Sequence, residues 1–539
     1  MTKREQLAFL GGFKRPRNDL AQGTHQAGFQ TCQVIAAQSS HREIHLYSDS
    51  AVAGRGAEFV VAGRPPLRVF EKLALPGTRE KYAAVYVNNG EQLGTAPFVL
   101  RPEHDWAPVI LTIGTAHSAP QWQSLLVALA SGAVRGTDGF IFKSKAAMRL
   151  FERVWDVWRD RFGFLPFPRA TSVVIPNGTD VHALKRSPQL RAETRRALRI
   201  PEDAVVFLAF SRLSPGTKGD QLALIARWKI VAERFPNALL LLSGAQVERA
   251  FVMELRSLAR AAGVGDQVLV LENPFELFSD ARGSLMSAAD VFVHVSTGVE
   301  ETSPLVVHEA MAHSLPIVAT DWAGVSEIID DDIEGYLIAT HAMPMAPATS
   351  AALFGGSDLR LALAASQSAV CAFDDLVDRV CLFRAADRRS RMGAAARARA
   401  ERWTLAAMAR AHLAHVDRVS AAAERAWTGD TSFRPLVDFA VVLEAQARRN
   451  LSGATRVRAT GRADVELALH GCKDDERLRV KAALASTPAT LGALSAAIAP
   501  SGDDGLPAGA ALAESGALLV RLLNFGALEI LPETDTQVG

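Results

Sequence analysis

Between Val205 and Thr340 the chain alternates short, wholly apolar runs with longer stretches whose apolar residues recur at helical spacing. Val205–Phe210 is apolar and ends in the polar pair Ser211-Arg212; Ala238–Ser243 is apolar and stops at Gly244. Further strands are predicted at Val268–Leu271, Val291–Val295 and Pro316–Thr320, with helices at Gln221–Arg234, up to Ala262, up to Ala289 and at Pro304–Ala312. Runs without polar alternation are typical of parallel strands covered on both faces. Strand–helix repeats at this spacing predict a doubly wound α/β domain. The chain before Arg186 repeats the theme less cleanly, with candidate strands at Leu7–Leu10, Ile44–Tyr47, Ala83–Val87, Val109–Ile113, Gly139–Phe142 and Ser172–Ile175. Helix-like runs at Gln123–Ala130 and Ala146–Val157 complete a second α/β domain, and the charged segment Arg186–Pro201 is read as the link.

After Thr340 the pattern breaks. His341–Gln367, rich in Ala, Ser, Pro and Gly, reads as loop or insertion, and Phe373–Arg425 as helical and Arg-rich. The remainder reads as a separate module, with a helix start at Thr487-Pro488, a helix at Ala511–Leu523 and a strand at Gly526–Leu531. With 539 residues, 49% hydrophobic and 22% charged, the chain is long enough for about three globular domains. A net charge of +1 gives no global pull toward nucleic acid or an anionic membrane. The four cysteines (Cys32, Cys371, Cys381, Cys472) are too scattered for a disulfide framework and have no metal-ligand spacing. No run reaches the ~18 apolar residues of a membrane span, and the first residues lack the apolar core of a signal peptide. A cytoplasmic, reduced protein is expected, rich in Ala and Arg as in chains from high-GC bacterial genomes; a peripheral place at the inner membrane stays open.

Four places carry candidate chemistry. Ser211-Arg212-Leu-Ser-Pro-Gly-Thr-Lys218-Gly219-Asp220 follows a predicted strand, where open α/β sheets bind ligands. Arg212 by its fork and Lys218 as a point charge can hold a diphosphate; alone, such a pair is more often a solvated basic turn. Glu301 and Glu309 stand eight apart, Glu301 in the loop before a helix and Glu309 inside it. Thr302 or Ser303 is expected to cap that helix, with Pro304 in its first turn, and the free amides there form an anion site. A carboxylate before the turn can accept from sugar hydroxyls and one further along can grip a ribose diol. The spacing itself is weak evidence, since acidic residues make up about a tenth of the chain, and a capping acid plus a half-buried acid explains it too. Asn177-Gly178, after a strand, suits a turn. His117 lies just past a strand end, a place where a lone histidine is more often structural.

Taken in order, these residues resemble the donor-domain pattern of family 4 glycosyltransferases. The resemblance runs through Arg212-Leu213 with Lys218-Gly219, Ala289-Asp290-Val291, Glu301-x7-Glu309-Ala-Met-Ala, Leu315–Asp321, Ala323–Ile328 and Glu334–Leu337. Ile175-Pro-Asn177-Gly178 resembles the pattern before the inter-domain linker, and Arg399–Val419 with Trp403 resembles the terminal helix that crosses back to the first domain. The resemblance implies a GT-B fold, two Rossmann-like domains facing a cleft, and retaining transfer of a sugar from a nucleotide-diphosphate sugar without a required metal or other cofactor. It implies that Arg212 and Lys218 neutralise the departing diphosphate, Glu301 orients donor-sugar hydroxyls, Glu309 binds the ribose, and His117 faces the sugar from the N-terminal domain. Amides around Leu305 and Val306 would touch phosphate, Thr302 and Ser303 would present hydroxyls to it, and the Gly11-Gly12 turn would approach the donor sugar or else be solvated. Two departures stand out: Ser211 where the family usually has Gly, and Thr302-Ser303-Pro304 where it often has Gly-Phe-Gly.

The expected division is an acceptor-side domain at 1–190, a donor domain at 191–395, a crossing helix at 396–423 and an accessory helical module at 424–539. The module lies outside the family pattern and resembles a winged-helix-like fold. From Ala421 on it has 12 basic and 15 acidic residues, which opposes nucleic-acid binding and favours a protein partner, self-association or acceptor recruitment. The acceptor is unidentified. Two rivals remain: a nucleotide-sugar epimerase or hydrolase on the same fold, and a sugar-nucleotide-binding scaffold working through its C-terminal module.

Overall fold

The computed structural model describes residues 6–11, 23–39, 43–48, 67–71, 82–87, 96–97, 107–114, 119–215, 218–298, 301–344, 366, 368–426, 456–459, 474–485, 489–498 and 528–530. Strands β1 (Gln6–Leu10), β2 (Glu43–Ser48), β3 (Leu67–Glu71), β4 (Tyr82–Val87), β5 (Val109–Ile113), β6 (Gly139–Phe142) and β7 (Ser172–Val174) form one parallel sheet, in the order β3-β2-β1-β4-β5-β6-β7. A second parallel sheet holds β8 (Val205–Phe210), β9 (Ala238–Gly244), β10 (Val268–Glu272), β11 (Val291–His294), β12 (Ile317–Thr320) and β13 (Gly335–Ile338), in the order β10-β9-β8-β11-β12-β13. Every residue of β4, β5 and β9 is buried, as uniform apolarity predicts for strands covered on both faces. In each sheet the strand order reverses once, between β1 and β4 and between β8 and β11. That opens a crevice at the carboxyl ends of those strands.

The helices are α1 (Gly23–Gln38), α2 (Ala119–Ala130) and α3 (Lys145–Phe162) with the first sheet, then α4 (Pro188–Ala197), α5 (Gln221–Arg234), α6 (Arg249–Ala261), α7 (Ala281–Ala288), α8 (Leu305–Ala312), α9 (Phe373–Leu382), α10 (Ala386–Ala400) and α11 (Leu405–Ala426). α3 has local signals at both ends. Ser144 accepts from the Ala147 amide, and Gly163 closes the helix at φ 71°, a left-handed conformation glycine adopts without penalty. Its Ala147, Phe151, Trp155 and Trp158 turn inward at helical spacing. α1 and β3 are elements the hydrophobic pattern does not single out, because α1 has few large apolar residues and β3 is short.

The charged segment before Pro201 is an ordered part of the second domain. Ser187 caps α4 and Pro188 occupies its first turn. Arg186, Arg191 and Arg195 converge on Asp290 at 3.1, 2.8 and 2.5 Å and also donate to carbonyls of Ser287, Ala288 and Ala289. The cations thus satisfy the carbonyl end of α7, where the helix dipole is negative.

The chain returns to the first domain after a break at Glu401–Trp403. Thr179 donates to the Trp403 carbonyl at 2.8 Å, Leu405 donates to the Thr179 carbonyl at 3.1 Å, and the Gly178 amide points at the Met408 sulfur at 3.1 Å. α11 then lies on the first sheet, where Tyr86 Oη meets His412 Nδ1 at 2.8 Å and Thr112 donates to Tyr86 at 2.8 Å.

The insertion begins as β14 (Thr340–Ala342), paired antiparallel with β15 (Ala369–Cys371); 345–365 lie outside the described residues. The C-terminal module contains helices α12 (Asp474–Ala485) and α13 (Leu491–Ile498) and a small antiparallel sheet of β16 (Arg456–Ala459), β17 (Ala489–Thr490) and β18 (Leu528–Ile530). β18 falls within the expected strand at Gly526–Leu531, whereas Thr487-Pro488 and the expected helix at Ala511–Leu523 lie outside the described residues. Among the described residues no helix is long and apolar enough to cross a membrane.

Gly178 has a packing role beyond its turn. A Cβ there would lie 3.0 Å from the Thr404 carbonyl oxygen and 3.1 Å from Leu405 Cα, both backbone atoms. Gly178→Ala is therefore expected to cost about 1–3 kcal/mol in urea unfolding. Gly136→Ala, where nothing lies within 4 Å, is expected to stay within about 0.5 kcal/mol. Equal stabilities for the two variants would contradict the close packing of the crossing helix.

Candidate functional site

The crevice between β8 and β11 gathers the candidate residues of the second domain. β8 ends at Phe210, and the turn that follows carries Arg212 and Lys218 before Asp220 caps α5 by accepting from the Ala223 amide at 2.9 Å. Gly219 has φ 105°, and a Cβ on it would lie 2.9 Å from the Val295 carbonyl oxygen. Glycine thus lets the turn press against the end of β11. Arg212 is half-buried, and its carbonyl accepts from Gln221 Nε2 at 3.3 Å.

Glu301, in the loop after β11, is 3% exposed. Lys218 donates to its Oε1, and His294 Nε2 lies 3.5 Å from its Oε2, just beyond good hydrogen-bond length. Burial pushes the Glu301 carboxyl up, but Lys218 and then His294 outweigh it and hold the group well below the usual carboxylate range. The Glu301 carbonyl accepts from the Gly324 amide at 2.9 Å. A Cβ at Gly324 would lie 1.6 Å from the Thr302 carbonyl oxygen, so only glycine permits this approach.

Glu309 is 4% exposed, on α8, and accepts from Arg282 Nη1 of α7 at 2.5 Å. Burial raises its carboxyl above the ordinary value, against the lowering effect of Arg282. Glu301 and Glu309 therefore stand in separate ion pairs.

The expected helix cap is corrected. Pro304 occupies the cap position of α8 and no side chain caps it; Leu305 and Val306 open the helix. The hydroxyls of Thr302 and Ser303 are engaged elsewhere. Thr302 donates to the Gly114 carbonyl at 2.6 Å, and Ser303 accepts from the Asn177 amide at 3.2 Å and meets His308 Nε2 at 3.1 Å. Both residues tie the loop to the first domain or to its margin, and those partners displace local capping. Asn177 Nδ2 adds a bond to the Ser303 carbonyl at 2.8 Å, so Asn177-Gly178 is a contact point as well as a turn.

Arg212, Lys218, Glu301, Thr302, Ser303, Leu305, Val306 and Glu309 thus all belong to the loops and helix starts around this crevice. His117 and Gly12 lie outside the described residues. Among the described residues no group of three or more His, Cys, Asp or Glu is placed to hold a metal ion. Sequence reasoning missed His294, Arg282 and Glu327. Glu327 accepts from the Lys145 and Ala146 amides at the start of α3, at 2.7 Å each, and so caps a helix of the other domain. Its signal was its place in the motif Ala323–Ile328; His294 could have been found as a polar residue ending an apolar strand next to the Glu301 loop.

Comparison with known proteins puts a family signature in this half of the chain. Residues 204–353 match the sequence profile of the family described as Glycosyl transferases group 1. The chain is 30% identical over 177 residues to the lipopolysaccharide 1,2-N-acetylglucosaminetransferase of Salmonella typhimurium, which is 32% of this chain and 44% of that protein. It therefore spans less than half the length of that curated relative. Among solved structures it resembles Anabaena HepE in complex with UDP, with a TM-score of 0.53 and 18% identity over 76% of this chain and 98% of that one. It also resembles a glycosyltransferase from Rickettsia africae, with a TM-score of 0.54 and 14% identity over 77% and 99%. At these identities the likeness is one of fold: two Rossmann-like domains in the GT-B arrangement, with an added helical C-terminal module.

Two outcomes are expected from the site's electrostatics. Lys218→Met leaves the buried Glu301 without its nearer cation and should cost about 2 kcal/mol, less than a fully buried pair because Lys218 is 23% exposed. Adding Glu301→Gln should recover most of that loss in urea unfolding, whereas additive losses would contradict the pairing. Separately, burial pushes His308 down from 6.5 to about 4. The unfolded chain then binds the extra proton between these values, so this contribution is present above about 6.5 and is lost as pH falls toward about 4. His308→Asn should show a shallower loss of stability over that window, and an unchanged slope would count against a neutral buried His308.

Proposed function

We propose that this protein is a metal-independent, retaining glycosyltransferase that moves a sugar from a nucleoside diphosphate sugar to an acceptor. The observation that carries the reading is the Lys218–Glu301 pair at the point where the strand order of the second sheet reverses. A cation for phosphate and an ionised acid for hydroxyls meet where such sheets bind nucleotides. The family match over 204–353 supports the same reading.

In this reading Arg212 and Lys218 take up the charge that develops on the departing diphosphate, preorganised before the reaction begins. Glu301, held as an anion, orients donor-sugar hydroxyls. Glu309 shares its carboxylate between Arg282 and a ribose diol. The first amides of α8, at Leu305 and Val306, face the phosphates together with the backbone of Thr302 and Ser303, whose hydroxyls are taken by Gly114, Asn177 and His308. Gly12 and His117 would approach the sugar from the first domain. The two cations and the helix start take the role a metal would have in screening the diphosphate. The acceptor belongs to the first-domain side of the cleft, with the C-terminal module as its recruiter or as a docking surface for a partner. The setting we infer is the cytoplasm, with peripheral contact to a membrane if the acceptor is lipid-linked.

The test is a mass-spectrometric screen of donor consumption with and without acceptor extracts, starting from UDP sugars because the HepE structure holds UDP. Transfer is expected to persist in EDTA, and a strict need for added Mg²⁺ or Mn²⁺ would count against the reading. Arg212→Ala and Lys218→Ala should each lose at least about 2 kcal/mol of transition-state stabilisation in kcat/KM. Near-normal turnover in both variants would remove the diphosphate assignment.

A further inference from the structure

The cation assigned above to the donor's diphosphate is bound, in this structure, to the carboxylate assigned to the donor's sugar: Lys218 donates to Glu301 Oε1. A lysine ammonium is a compact charge on a flexible stem, and a diphosphate carries more negative charge than one carboxylate. As the donor enters, the ammonium is drawn from Glu301 toward phosphate. The carboxylate, 3% exposed, would then lose its lysine while it stays buried.

A second group waits on the other oxygen. His294 is the last residue of β11, and its Nε2 is buried, makes no hydrogen bond and lies 3.5 Å from Glu301 Oε2. Its ring cannot easily move. The residue is paired in register with Ala319 of β12, its ring stacks on Phe292 at 6.4 Å and 14°, and the following loop is pinned where Thr320 donates to the Ser296 carbonyl at 2.6 Å. The carboxylate, at the end of a side chain with three rotatable bonds, is the partner that can travel the roughly half ångström needed for a full hydrogen bond.

We propose that His294 is a positioning residue, which keeps Glu301 aimed at the donor sugar once Lys218 has been handed from the carboxylate to the diphosphate. The proposal rests on the donor-site reading given above. It makes diphosphate binding and sugar orientation successive events on one carboxylate. Diphosphate alone draws Lys218 away whatever stands at position 294, whereas productive orientation of the sugar needs the histidine.

The test compares His294→Leu, which removes the N–H, with His294→Gln, which keeps one near the Nε2 position. Calorimetry with UDP should give affinities within threefold of the unaltered protein for both. With a UDP sugar that the unaltered protein consumes, H294L should lower kcat at least tenfold while changing the donor KM less than threefold, and H294Q should restore kcat to within threefold. Unaltered kcat in H294L would overturn the proposal. So would equal loss in both variants when thermal melting shows both folded, since that is a packing effect. If the unaltered protein binds no nucleoside diphosphate, the donor reading itself fails. A crystal structure of the Lys218→Met, His294→Leu double variant, set beside Lys218→Met alone, then decides the positioning role separately, because Lys218 no longer holds the acid: a Glu301 carboxylate turned from its place in Lys218→Met supports it, and one unmoved overturns it.

Discussion

A carboxylate that is 3% exposed stays ionised only if cations or strong donors stand beside it, and Glu301 is such a group. Much of the local architecture of the second domain follows from that requirement. The turn after β8 must reach the end of β11 for Lys218 to touch Glu301, and Gly219 is the residue that permits the approach. The strand that precedes the loop ends in His294, whose Nε2 lies 3.5 Å from the second oxygen of that carboxylate. Gly324 must lack a Cβ so that its amide can hold the Glu301 carbonyl.

The same loop is where the two domains meet. Thr302 bonds to the Gly114 carbonyl and Ser303 to Asn177, while Glu327, in the helical turn that follows Gly324, caps α3 from across the cleft. Closing the domains therefore sets the conformation of the segment that carries Glu301. A carboxylate across the first two amides of α3 gives the seam a charged hydrogen-bonded clasp aligned with the helix dipole. The contact between the two domains thus runs through residues adjoining the buried acid.

Each level of the structure was legible to a different degree. Strands β8, β9, β11 and β12 were plain because they are almost wholly buried and apolar, and α3 because its inward residues recur at helical spacing, whereas β13 was legible only as part of a motif. The ordered positions Arg212, Lys218, Glu301 and Glu309 pointed to the crevice through their place after strands. By contrast α1 and β3 give weak periodic signals. Arg282 stands 27 residues from Glu309 along the chain, and no spacing announces such a pair. Arg186–Pro201 read as a charged link, yet its arginines satisfy the carbonyl end of α7 and Asp290 across about a hundred residues of chain.

The sequence by itself determined the α/β class, the two strand–helix series and the loops that hold the acids and bases. All of these depend on residues within a turn or two of each other, so local spacing suffices. Only the tertiary structure decided which groups pair: Lys218 with Glu301, Arg282 with Glu309, Thr302 with Gly114 rather than with the helix it precedes. A hydroxyl that can cap a nearby helix or bond across a cleft takes whichever partner packing brings into line. That choice is made by atoms far apart in the chain, after the sheets have assembled.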